Sequence, residues 1–422
     1  MNTCDWAVGE KVVCDLSSLP PSTIVREVQF SLDGEQVAFI LGEQGGGFSI
    51  GVRGSVSWDE GPYENLRNLS FLAGGGVFCL VCREFVWSIK ADSRVVGEYD
   101  FLWSPIFNSK GSYAVCARRE GSYFLVVDGI EWKGAYPLLT EHALAEDAPV
   151  TCASVQRYCV EERDLTLFRE GTFSVSVDGE VWEKSFTGVW NPSVDAGGGN
   201  VAAVIRIEGE RCGVIQNGEV WDTRFDHAWD MTFSPQGGLF VTGKQGRKWY
   251  LFADDTRVWE RGFFQMWKPC VSANGCSVAT VVAPEFGRFT VCVNEVLWKN
   301  TYSVVEDIEL SPDGERVAAV VWREYPPIKV GIHPPRKKLL VLNDKVLGEE
   351  WEHISYVTFS PDSSHLAWVG RRGKREYLVI DGMTFPGEFL YLWPPIFDQD
   401  SSHILIRGRQ DNRYVRIVSK IS

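Results

Sequence analysis

Several signatures are missing from this sequence, and each absence narrows what the chain can be. No apolar run reaches the roughly 18 residues that a membrane-crossing helix needs. Residues 1–13 carry Asp5 and Glu10 and lack both a basic leader and an apolar core, so no secretion signal is read there and a cytoplasmic location is expected. Clustered positive charge is scarce. With 42 Lys and Arg against 56 Asp and Glu, the net charge is −14, which argues against nucleic acid or an anionic membrane surface as the partner of the whole chain. No Gly-x-Ser-x-Gly elbow, phosphate-binding glycine loop or dinucleotide fingerprint occurs.

Metal and cofactor chemistry is equally thin. The 6 histidines form no His-x-x-x-His or His-Glu pair with ligand spacing. His227 and His353 each stand shortly before a turn, where a side chain can face a central opening. The 11 cysteines follow no regular spacing and read as reduced, buried, small hydrophobes. Cys79 and Cys82 form the one Cys-x-x-Cys pair. They fall in an apolar run with strand character, where positions i and i+3 point to opposite faces and cannot share a metal. No catalytic residue, metal ligand or cofactor is therefore expected.

What the chain does have is repetition. Residues 307–322 read strand, turn, strand. Ile308 and Leu310 alternate with polar neighbours, Pro312-Asp313-Gly314 supplies turn chemistry, and Val317 to Val321 is a continuous apolar run, as in a strand packed on both faces. Phe30-Ser-Leu-Asp-Gly34, Phe233-Ser-Pro-Gln-Gly237 and Phe359-Ser-Pro-Asp-Ser363 are close copies. Trp103-Ser-Pro105, Trp190-Asn-Pro192, Trp267-Lys-Pro269 and Trp393-Pro-Pro395 are variants. A second phrase lies between copies: a tight turn, usually Asp-Gly or Asn-Gly, with a large residue four positions on. Asp128 leads to Trp132, Asp178 to Trp182, Asn217 to Trp221, Asp255 to Trp259 and Asn294 to Trp298. The last four tryptophans are 39, 38 and 39 residues apart.

Asp-Gly and Asn-Gly between apolar runs mark hairpins, because a type I′ turn needs positive φ at both central positions. Two hairpins in about 40 residues are the four strands of a propeller blade. The expected fold is all-β: a propeller of four-stranded antiparallel blades, about ten units, in one ring closed by the N-terminal strand. A single propeller over residues 1–422 is expected. In it, residues 2–14 complete the last blade (389–420), which otherwise lacks a fourth strand and would expose an open edge. Insertions are expected at 137–150 and 323–338. Most of the 17 tryptophans then read as spacers between blades.

The second insertion stands apart. Residues 323–338 hold four prolines and six Lys, Arg or His against one acid. Proline bars it from a central strand and favours an extended protrusion. Arg323, Tyr325, Lys329, His333, Arg336, Lys337 and Lys338 are the candidate partner-binding residues.

The Phe-Ser-Pro-Asp-Gly-x-x-Val-Ala phrase resembles the WD40-like repeat of TolB-type propellers and runs through essentially the whole chain. A tryptophan-rich, acidic chain built of such repeats is also similar to the propeller subunit of the transmembrane redox (Tmc-type) complex of sulfate-reducing bacteria. That resemblance implies a cofactor-free accessory subunit at the inner face of the cytoplasmic membrane, beside an iron–sulfur protein and a membrane cytochrome b. The competing expectations are an enzyme or sensor binding a small molecule, metal or peptide at the ring mouth.

Overall fold

The computed structural model describes residues 4–20, 22–42, 46–159, 164–207, 211–323 and 337–421. Among them, ten antiparallel sheets of the propeller-blade type account for nearly all regular structure. The one α-helix among the described residues is Leu165–Glu170. The chain divides into two compact units, residues 1–4 with 18–229 and residues 5–17 with 230–422; the division falls within the strand His227–Phe233.

The first unit holds five consecutive meanders, each running in order from its first strand to its fourth. The second sheet is representative: Asn65–Phe71, Val77–Arg83, Val86–Ala91 and Arg94–Tyr99. The second unit repeats the plan, and its last sheet draws on both ends of the chain. There the first strand is split into Tyr391–Leu392 and Ile396–Phe397 by Trp393-Pro-Pro395, followed by His403–Gln410 and Arg413–Lys420. Gly9–Asp15 then pairs antiparallel with Arg413–Lys420, from Gly9 opposite Val418 to Asp15 opposite Arg413.

The second strand of each sheet is the most buried, which explains its largely apolar sequence. Val77–Arg83 and Tyr113–Arg119 pack a neighbouring sheet against each face. Cys79 sits in the cluster with Tyr63 and Leu66, and Cys82 in the opposite cluster with Leu102 and Tyr113. The two thiols thus lie on opposite faces of one strand. Burial pushes the Cys79 thiol up to about 12, leaving it inert as a nucleophile or ligand.

Two side-chain devices make the repeated phrases work. In the Ser-Pro-Asp-Gly turn, Ser311 Oγ donates to Asp313 Oδ1 at 2.5 Å and accepts from Arg316 N at 2.9 Å. Ser31, Ser272 and Ser360 do the same with Asp33, Asn274 and Asp362. The Ser311 hydroxyl and then the Glu315 amide hold the Asp313 carboxyl below its ordinary pKa. In the second phrase, the Asp or Asn accepts from the first amide of the second strand. Asp128, Asp178, Asn217, Asn294, Asn343 and Asp381 do so at 2.8–2.9 Å. Each takes a left-handed φ of 46–50°, which Asn and Asp tolerate best among residues with a side chain.

The structure corrects four expectations. Residues 137–150 are not an insertion. They contain Leu138–Leu144, the first strand of a sheet, paired with Thr151–Gln156. The excess length between Trp132 and Trp182 lies instead at 157–172, which includes the helix. In the blade of Trp259 the turn begins one residue early: Asp254 bonds Leu239 N at 2.9 Å. Asp255 occupies the glycine position there with φ 67°. The N-terminal strand is Gly9–Asp15 rather than 2–14, whose residues 2 and 3 lie outside the described set. Lys338 does not belong to the insertion but opens the strand Lys338–Leu342.

Candidate functional site

The candidate partner-binding residues centre on one sheet of the second unit. Its first two strands are Val305–Leu310 and Val317–Trp322; the excursion at 323–337 follows, and Lys338–Leu342 returns. Trp322 pairs with Lys338 across the ladder, and Arg323 N donates to Lys337 O at 2.8 Å. The excursion therefore springs from a hydrogen-bonded neck. Arg323 is tied to it through its guanidinium, which contacts the carboxylate of Glu350.

Beneath the neck is a polar cluster. Lys338 Nζ donates to Glu306 Oε2 at 2.6 Å and lies 3.0 Å from His353 Nδ1. The Trp322 indole N–H also donates to Glu306. Burial alone would raise the Glu306 pKa, but the Lys338 ammonium and the Trp322 indole outweigh it and hold the carboxyl below its usual value. His353 is pushed down by burial and then by the cations Lys338 and Arg371. Its ring is therefore neutral near pH 7, and Nδ1 serves as the acceptor for Lys338. With a side chain only 14% exposed and two partners, Lys338 has its charge spent within the blade.

Of the other candidates, Lys337 is half-buried at the base of the neck. Tyr325, Lys329, His333 and Arg336 lie outside the described residues. His227 opens a first strand and is exposed. Among the described residues, no three His, Cys, Asp or Glu side chains are grouped to hold a metal ion, and no helix is long and apolar enough to cross a membrane.

Two recurrent features escaped the sequence reading. First-strand carboxylates cap the bulge of the next blade: Glu27 accepts from Leu69 N at 2.7 Å, Asp230 from Lys268 N at 2.7 Å, and Glu141 from Asn191 N. Each acid stands three residues before the apolar residue that opens the turn phrase, a spacing visible in the sequence. The second is an aromatic four residues beyond the tryptophan anchor. Tyr136, Phe186, Phe225, Phe263 and Tyr302 each bridge back to the start of the third strand.

No family model and no curated protein sequence matches the chain. Solved structures with similar coordinates include an eukaryotic initiation factor, at 12% identity over 82% of this chain and 89% of that one, TM-score 0.47. The Dos1 propeller matches at 10% identity over 94% and 92%, TM-score 0.37. TolB from Acinetobacter baumannii matches at 14% identity over 73% and 76%, TM-score 0.29. It is the ten antiparallel sheets themselves that make the described chain a series of β-propeller blades.

Proposed function

We propose that this chain is a non-catalytic interaction scaffold: the cytoplasmic accessory subunit of a membrane-bound electron-transfer complex. It would dock an iron–sulfur protein and a membrane cytochrome b without holding a cofactor of its own. The observation that carries the docking part of this reading is the anchored neck at Arg323 and Lys337. An acidic chain of net charge −14 concentrates positive charge in one excursion and fixes its base by a main-chain hydrogen bond. Basic charge on a preset base attracts an acidic partner and sets its orientation, while proline lowers the entropy lost on docking. The membrane and redox parts rest on the sequence resemblance alone.

The test is the double substitution Arg336→Ser with Lys337→Ser. Lys338 is left in place because removing it would strand the Glu306 carboxylate. The variant is expected to keep its thermal transition, since Lys337 joins the neck through its main-chain carbonyl, which serine retains, and charge substitutions away from a packed core contribute little to stability. Its association with the acidic partner is expected to weaken, most of all at low ionic strength, where charge attraction is least screened. Equal association of variant and parent at low salt would refute docking through this excursion.

A further inference from the structure

Between the first and second sheets of the first unit lies a cavity of about 340 Å³, walled by Tyr63, Val81, Arg83, Val86, Val95 and Glu98. Val81 pairs with Ser88 and Arg83 with Val86, so these four residues share one face of the second sheet. That face looks toward the first sheet, where Val81 and Tyr63 belong to one packed cluster.

Tyr63 is only 2% exposed and is fixed from behind. Its hydroxyl donates to Glu60 Oε1 at 2.5 Å. The other oxygen of Glu60 meets Lys90 Nζ at 2.7 Å, and that side chain is 3% exposed. The Arg83 guanidinium lies over the Tyr63 ring, 4.3 Å from its centroid. Among the described residues, no hydrogen bond or ion pair engages that guanidinium. Stacking sets its plane and leaves its in-plane N–H groups available, the geometry that grips a carboxylate through two parallel hydrogen bonds.

The rest of the lining decides what else the ligand carries. Glu84 and Glu98 also face the cavity, so a simple anion would be repelled and a simple cation would meet Arg83. A ligand bearing both charges satisfies all three groups. Val81, Val86 and Val95 offer an apolar wall for a small hydrocarbon side chain. The volume of about 340 Å³ sits at the lower end of the roughly 300–1,000 Å³ typical of ligand pockets.

We propose that this crevice binds a free aliphatic α-amino acid of the valine or leucine type. Arg83 holds the carboxylate, Glu84 and Glu98 hold the ammonium, and the three valines take the side chain.

Titration calorimetry on the full chain with L-leucine, N-acetyl-L-leucine and L-leucinamide tests the assignment. L-Leucine is expected to bind at one site, and each blocked compound to bind about ten- to hundredfold more weakly, the effect of losing one charge-assisted contact. Arg83→Gln is expected to weaken L-leucine to the same degree without moving the unfolding temperature, because Arg83 is exposed. Should that variant fail to fold, Glu98→Gln probes the ammonium side, with the larger loss expected for L-leucine and none for N-acetyl-L-leucine. The proposal is overturned by no binding of L-leucine up to about 10 mM. Blocked compounds that bind as well as L-leucine, or folded Arg83 and Glu98 variants that bind it as the parent does, overturn it equally.

Discussion

Removal of residues 1–15 is expected to make the chain aggregate and to abolish the cooperative thermal transition of the unit formed by residues 5–17 and 230–422. In the last sheet, Gly9–Asp15 is the fourth strand and pairs with Arg413–Lys420 from Arg413 to Val418. It also buries Val13 and Cys14, and Leu16 N extends the contact to Asn412 O at 2.9 Å. Without it, a row of main-chain N–H and C=O groups on an eight-residue strand is left unpaired. An open edge of that length recruits other chains. A peptide of residues 4–17 added in trans should restore part of the lost stability. Size-exclusion chromatography and calorimetry read the outcome. A truncated protein as monodisperse and heat-stable as the parent would show that the N-terminal strand is dispensable.

A single methyl group placed at Gly370 is expected to be nearly as damaging. Gly370 lies in Leu366–Arg372, opposite Ile354 on one side and Tyr377 on the other. A Cβ there would sit 2.3 Å from the Trp351 indole. The indole cannot retreat. It is 1% exposed, the Arg372 guanidinium covers it at 4.0 Å from its centroid, and the Tyr377 ring centroid is 5.8 Å away. Gly370→Ala should therefore cost about 3 kcal/mol, at the upper end of what overpacked cores lose. Gly9→Ala is the control: nothing lies within 4 Å of its would-be Cβ, and no loss is expected. A Gly370→Ala protein with the parent's chemical-denaturation midpoint would contradict the packing described here.

How much of this was legible beforehand depended on the range of the chemistry involved. Ser311, Pro312, Asp313 and Gly314 build their turn from within five residues, so the phrase announced itself. The Asp and Asn of the second phrase were equally plain, because left-handed turns select them. Misreadings arose where a residue answers to a different blade. Residues 137–150 resembled a loop because Glu141, Glu146 and Asp147 make the stretch polar. Yet Glu141 is polar in order to accept an amide from the next sheet. His142 lies 3.2 Å from the Cys116 thiol of the preceding sheet, and burial lowers its pKa. Asp254 and Asp255 were interchangeable by composition, and only the bond to Leu239 N separates them.

The candidate site was legible in part. Charge and proline content marked the excursion, but Lys338 looked like one more exposed base until Glu306 and His353, 32 and 15 residues away in the chain, closed around it. The pairing of Tyr63 with Arg83 left no trace in the sequence, since it depends on how two sheets stack.

The scaffold reading is tested most directly by purifying the tagged full-length chain from its native cells at low ionic strength, with membranes gently solubilised, and recording the visible spectrum and protein content of the eluate. The account predicts a colourless chain that brings with it a membrane cytochrome b and an iron–sulfur protein, both released by raising the salt concentration. A chain that elutes alone under these conditions, or one that itself retains a stoichiometric chromophore after the salt wash, would contradict it.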